Sequence, residues 1–352
     1  MKPDSEAPND FESSIRRFLS ARISRRQVLK ASLIGAGGLA VAAKGLAPLE
    51  IPGTASASGG GWRQLTPKTT PSPRVSAAMA YDAARRTTVL FSGYSQTPEA
   101  DTWTWDGFTW TRQNPPLSPP ARSGASFVYH PPTQKLVLFG GDGPGGRLGD
   151  TWLWDGKNWS PVSNASPPNR SGASMAFDPV TSSIILFGGF AGGDLGDTWK
   201  WDGTSWHALS TTGSTPGHLS GAGFAYSAVV GKLILFGGTQ GMGNPPSQTM
   251  WAWDGSNWSQ VLLNPSPQGR SYAAMAASLD SRLILLFGGH NSNLLGDTWA
   301  LTSTWSQDTR TPAPSPRVGA ALAPDPSGTS LLLFGGGDGY GGLMGDAWAW
   351  VS

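Results

Sequence analysis

Residues 195–206 read LGDTWKWDGTSW, three tryptophans within eight positions. Tryptophan at this density serves either a ligand platform or the packing of a fold. The stretch recurs as ADTWTWDGFTW ending at Trp110, LGDTWLWDGKNW at Trp159, QTMWAWDGSNW at Trp258, LGDTWALTSTW at Trp305, and MGDAWAW near the C-terminus. Each copy follows an apolar run closed by glycine, such as KLVLFGG or LILLFGG, and five of the runs follow an arginine with small residues, as in RSGASFVY from Arg122 and RSGASMAF from Arg170. The chain therefore holds six repeats.

The register is tight. Eighteen positions separate the arginine from the first residue of the glycine pair in five copies: Arg74 to Ser92, Arg122 to Gly140, Arg170 to Gly188, Arg270 to Gly288 and Arg317 to Gly335. The fourth copy carries Leu219 in that slot, beside His218. Successive closing tryptophans, from Trp62 to Trp305, lie 47 to 52 residues apart. A period near fifty with several short β-type runs per unit predicts a propeller. Within a unit the runs read as strands a to d from the axis outward: SGASMAF, SIILFGG, DTWKWDG and SWHAL. Asp178-Pro179 and Asp202-Gly203 supply turn chemistry between a and b and between c and d. Small residues dominate strand a and tryptophans dominate c and d, the gradient required by blades that crowd at the axis and splay at the rim.

The expected fold is thus all-β, a six-bladed propeller with four antiparallel strands per blade. Two tryptophans per strand c and one per strand d make 18 places, and the 17 tryptophans fill all but that of Leu301, so packing rather than a ligand platform accounts for every one. The chain ends after a strand c, WAWVS, and begins its repeat region with a lone strand d around Trp62. That N-terminal strand is expected to complete blade six and close the ring.

With Gly140-Gly141, Gly188-Gly189, Gly237-Gly238, Gly288-Gly289 and Gly335-Gly336 each followed by a strand-d tryptophan, residues 62–352 resemble the kelch family. WD-type propellers are the rival, but their Gly-His start is missing. Departures from the kelch pattern are Ser92 for the first glycine, Leu219 for the arginine, and Thr302-Ser303 for Asp-Gly.

Residues 1–57 are different material, and 58–352 form the expected propeller domain. SRRQVLK from Ser24, a short apolar stretch ending before Lys44, and Ala55-Ser56-Ala57 resemble a twin-arginine export signal, with Arg25 and Arg26 as the pair and Val28 where phenylalanine is common. The thirteen residues Ala31 to Ala43 are fewer than the roughly 20 a membrane span needs. The resemblance implies the translocation machinery as a partner and a periplasmic, extracellular or cell-envelope location, with retention as an anchor the alternative to cleavage. Without the signal the chain carries 17 basic and 18 acidic residues, so the basic balance belongs to the signal and not to a nucleic-acid surface.

Chemistry-bearing patterns are scarce. No cysteine is present, which excludes the tyrosine-cysteine crosslink of galactose-oxidase-type copper chemistry, found in the same superfamily. No cofactor is expected. His130, His207, His218 and His290 show no metal-ligand spacing and read as lone surface histidines. GDGPGG and GGGDGYGG mimic phosphate loops but precede a strand, not a helix. The recurring arginines read as structural, paired with loop carbonyls.

Function is expected where the repeat breaks, on the face of the b–c and d–a loops. Kelch-like adaptors bind peptide there, which implies Tyr94, Asp142, Phe190, Thr239, His290 and Gly337 after strand b, and Ser123, Ser171, Ser220 and Ser271 at the start of strand a. Local asymmetry adds Arg147, His218, Tyr272 and Tyr340, and blade four has the longest b–c loop, TQGMGNPPSQ. Two readings follow: an exported module binding a peptide, glycan or envelope protein, or an enzyme on acidic sugars similar to the periplasmic kelch-type sialic-acid epimerases. Glu99 is the sole glutamate after the signal, and no acid/base pair can be assigned from sequence.

Overall fold

The structure is a computed structural model in which residues 60–352 are described, apart from 165, 242 and 243. The export-signal reading, with Arg25 and Arg26, lies outside the described residues. Among the described residues the strands form six four-stranded antiparallel sheets. Blade three is representative, with a at Ser174–Asp178, b at Ser183–Phe187, c at Thr198–Trp201 and d at Trp206–Leu209. Blade six takes a, b and c from Ala321–Pro324, Ser330–Phe334 and Ala347–Val351, and its strand d from Gly61–Leu65. Gly61 pairs with Val351 and Leu65 with Ala347, so the first and last described strands close the ring by main-chain hydrogen bonds. One 3-10 turn, Pro131–Thr133, is the only helical element among the described residues.

The core consists of six clusters, each wedged between two neighbouring blades. Their common contact joins the tryptophan of strand d to the phenylalanine of the preceding blade's strand b. Trp110 meets Phe334, Trp159 Phe91, Trp206 Phe139, Trp258 Phe187, Trp305 Phe236 and Trp62 Phe287, with ring centroids 4.9–5.7 Å apart. This is the tilted or edge-on geometry aromatic quadrupoles favour. Both repeating residues, the phenylalanine before the glycines and the closing tryptophan, are therefore one inter-blade device. All 17 tryptophans are buried or half-buried, so they are part of the fold.

Four of those closing tryptophans donate their indole N–H to a threonine in strand c of the preceding blade: Trp62 to Thr298, Trp159 to Thr102, Trp206 to Thr151 and Trp258 to Thr198, at 2.8–3.1 Å. The same slot holds Ala347 against Trp110 and Met250 against Trp305, and those two indole nitrogens have no hydrogen-bond partner. Ala347→Thr is expected to raise stability by about 1 kcal/mol, the net worth of one internal hydrogen bond. A urea midpoint no higher than that of the parent would show that the extra methyl overpacks the site.

The repeated arginine is an intra-blade clamp. Arg74, Arg122, Arg170, Arg270 and Arg317 form forked pairs with Asp101, Asp150, Asp197, Asp297 and Asp346, with closest distances of 2.5–2.7 Å, and also donate to the carbonyl of the first residue of the glycine pair. Each aspartate further accepts the indole N–H of the tryptophan two residues on. The expected pairing with loop carbonyls holds, but the carboxylate is the main partner. Blade four has changed both ends together: Leu219 stands for the arginine and Thr249 for the aspartate, with Trp251 donating to the threonine at 3.2 Å.

The glycine pair is explained by the next blade. Gly188 and Gly189 both have positive φ, 64° and 98°, and the Gly189 N–H donates to the Leu219 carbonyl of blade four at 2.8 Å. A Cβ on Gly188 would lie 2.3 Å from that same oxygen. In blade one Ser92 occupies this slot at φ 66°, and its hydroxyl donates to the equivalent carbonyl, that of Arg122, and to that of Glu99.

Candidate functional site

The residues marked from sequence on the b–c/d–a face come together in pairs. Each residue after the glycine pair forms an isolated antiparallel bridge with the residue after the arginine slot: Val75 with Tyr94, Ser123 with Asp142, Ser171 with Phe190, Ser220 with Thr239, Ser271 with His290 and Val318 with Gly337. Strand a therefore starts later than SGASMAF suggested, at Ser174 in blade three, because Ser171 and Gly172 leave the ladder. The next residues, Ser76, Gly124, Gly172, Gly221, Tyr272 and Gly319, all have φ of 51–65°. Each donates its N–H to the carbonyl of the preceding member at 2.8–2.9 Å, and Ser76 donates back to Gly319. This closed hydrogen-bonded ring encircles the axis.

Tyr272 breaks the ring's small-residue pattern. Its aromatic ring lies over its neighbours, 2.9 Å from where a Cβ on Gly221 would stand and 3.6 Å from one on Gly172. Glycine at 221 is what makes room for it. Burial pushes the Tyr272 hydroxyl up to about 12, aided by the negative fields of Asp194 and Asp142 and opposed by its hydrogen bond with Ser220 and by Arg147. At neutral pH it is protonated.

Blades two and three also depart from the repeat. The b–c connection of blade two is a projecting hairpin, with strands extended to Lys135–Gly143 and Gly146–Trp154 and Asp142 opposite Arg147. Its glycines form a strand-to-strand turn, as expected, and not a phosphate loop. Arg147 Nε stands 3.7 Å from Asp142 Oδ1, and the guanidinium carbon lies 4.5 Å from the ring centroid of Phe190 in blade three. Nε and Nη2 of Arg147, Oγ of Ser171 and Oδ1 of Asp194 are buried with no hydrogen-bond partner among the described residues. Buried polar atoms without partners are rare in folded proteins and mark places where a ligand or water completes the bonding.

Other sequence candidates are more scattered. Ser123, Ser171, Ser220 and Ser271 are buried, so their main chains hold the bridges. Tyr94, Phe190, Thr239 and His290 are half-buried, and burial pushes the His290 imidazole below its ordinary value. His218 is exposed on the d–a loop, and Tyr340, 62% exposed, projects from blade six. His207 is exposed and bonded to Asp202 at 2.8 Å. His130 corrects the surface reading: it is 0% exposed, with Nδ1 2.9 Å from Thr133 Oγ1 and its ring edge-on to Phe177. The c–d turn of blade three covers it, Gly203 sitting against its Cε1.

Asp194 was missed from sequence. It occupies the same repeat slot as Arg147, immediately before the leucine of LGDTW, where blades five and six carry Leu294 and Leu343. Opposite charges in one slot of adjacent blades were the available signal. Among the described residues no cluster of histidine, aspartate or glutamate has the makings of a metal site, and no helix is long and apolar enough to cross a membrane.

Comparison with known proteins agrees with this architecture. A family described as the KLHDC2/KLHL20/DRC7 Kelch-repeats domain matches residues 157–307, which span the end of blade two through blade five. No curated protein matches the chain. The protein is a six-bladed β-propeller, similar to that kelch-repeat family over residues 157–307. Similarity to a kelch-repeat family points to a protein-interaction module.

Proposed function

We propose that the protein is an exported binding module that holds a polar segment of a peptide, glycan or envelope protein at the axial mouth of its b–c/d–a face, with Arg147 as the anchor. The observation that carries this reading is the Arg147 guanidinium, stacked on Phe190 with two buried N–H groups unbonded. A planar donor fork held against an aromatic face suits a carboxylate or another oxygen acceptor. Ser171 and Asp194 add a hydroxyl and a carboxylate oxygen without partners, which suit amides or hydroxyls of the same ligand. Burial raises the Tyr272 hydroxyl, on the ring itself, away from the neutral range in which a general base works. Export rests on the Arg25-Arg26 signal pattern.

The test screens the full-length chain against peptide and glycan arrays. Among the ligands retained by the parent, those of the axial mouth are expected to weaken by about tenfold or more in Arg147→Met, a loss of about 1.4 kcal/mol, and to persist in Phe108→Ser on the opposite face. A set of retained ligands none of which weakens in Arg147→Met would place the site elsewhere. Turnover of any sugar ligand, followed by anomeric NMR signals, would favour the enzyme reading instead.

A further inference from the structure

On the face opposite the axial site, the c–d turn of a blade meets the a–b turn of the blade before it. Side chains fill the junction at three places: Arg85 against Gly156, His130 and Thr133 against Gly203, and Thr181 with Val180 against Gly255. At the junction of blades six and one, Pro326 and Ser327 stand in the a–b turn, and a cleft of about 370 Å³ remains. This is the place where the N-terminal strand closes the ring, and that strand contributes Arg63 and Leu65 to the wall.

The charged groups of the cleft divide sharply. Its two carboxylates are engaged: Asp106 Oδ1 accepts the amides of Phe108 and Thr109 at 2.8 Å, while Asp325 accepts the Ser327 amide at 2.9 Å and the Trp105 indole at 2.7 Å. Arg63 and Arg86, both exposed, have no hydrogen bond or ion pair among the described residues, whereas the adjacent Arg85 is held by Asp82 at 3.0 Å. Phe108 presents its ring at 85% exposure, and the hydroxyls of Ser327 and Ser330 bond only each other, at 3.0 Å.

From this juxtaposition we infer that the cleft is a second ligand site, for an acidic sugar residue of the uronate type. The two guanidiniums take the carboxylate, the Phe108 face takes the apolar C–H face of the pyranose, and the serine pair takes ring hydroxyls. The volume lies at the lower end of the range for small-molecule pockets, roughly 300–1,000 Å³. A neutral sugar leaves the guanidiniums unmatched, and a bare anion leaves the aromatic face uncovered.

The experiment is a calorimetric and ligand-observed NMR titration of the full-length chain with D-glucuronate, with D-glucose and inorganic sulfate as controls. Saturable glucuronate binding is expected, weakening by about tenfold or more in Arg63→Gln/Arg86→Gln and in Phe108→Ser. Arg147→Met, at the axial site, is expected to bind glucuronate normally. All these substitutions fall on half-buried or exposed side chains, and an unchanged urea midpoint certifies the fold. Four results overturn the inference: no saturable glucuronate binding, sulfate binding as tightly, binding retained by the double arginine variant, or binding lost only in Arg147→Met.

Discussion

Arg74→Leu is expected to destabilise the propeller by about 3–5 kcal/mol, because it strips a buried carboxylate of its partner. The side chains of Arg74 and Asp101 are 1% and 10% exposed, and the guanidinium also bonds the carbonyls of Ser72 and Ser92. Adding Asp101→Thr should recover most of the loss, since the double variant copies Leu219 and Thr249 of blade four, where Trp251 donates to the threonine. A double-mutant cycle in urea measures the coupling. Equal losses in single and double variants would show that the pair is not the unit of the clamp.

The same carboxylates set the acid limit. Burial pushes Asp101, Asp150, Asp197, Asp297 and Asp346 up, but the hydrogen bonds and charge of their arginines, with the indole N–H, outweigh it and hold each below the usual carboxylate value. A folded-state pKa below the unfolded one contributes stability at pH values above the unfolded pKa, about 3.9 for aspartate, and loses it as pH falls through the folded value. Stability is therefore expected to decline from about pH 4 downward. The double variant, with one such carboxylate fewer, should decline less steeply.

Removing Gly61–Leu65 should have the largest effect of all. Those residues are strand d of blade six, and Trp62 packs against Phe287 at 5.2 Å and donates to Thr298 at 2.8 Å. Their loss uncovers the edge of Ala347–Val351, with Trp348 and Trp350, for pairing with another chain. Loss of a single cooperative urea transition and association detected by light scattering are the expected outcomes. Trp62→Ala, which keeps the strand, should cost about 3–5 kcal/mol as a truncated buried aromatic and leave the protein monomeric. A truncated chain that stays monomeric with the parent's transition would show that this strand does not hold the ring.

The sequence was legible wherever a structural requirement repeats in each blade. Tryptophan counting assigned those side chains to packing, the spacing from arginine to glycine fixed the blade register, and the chain ends announced the closing strand. The Arg-Asp clamp is half-legible: Leu219 visibly breaks the arginine register, while Thr249 stands out only once the arginine is known to pair with the aspartate of that slot. The axial site was legible as a set of loop positions only. Asp142, Arg147 and Phe190 were marked, but nothing in their spacing says that the guanidinium stacks on the ring of the next blade.

What the sequence by itself determined is the local and periodic part: strand order, turn positions, six blades and the face on which their loops vary, since these follow from residues within one repeat of about fifty. The tertiary structure decided what depends on contacts between blades. His130 looks like a surface turn residue until the Gly203 turn of blade three is laid over it. Tyr272 is one residue of a strand-a motif until the hydrogen-bonded ring gathers six such positions at the axis and places it over Gly221. The cleft beside Phe108 joins residues from the first and last described strands with turns of blades one and six. The physical reason is common to all three: burial and unpaired donors are properties of a surface after its neighbour has docked, and here the neighbour is always another blade.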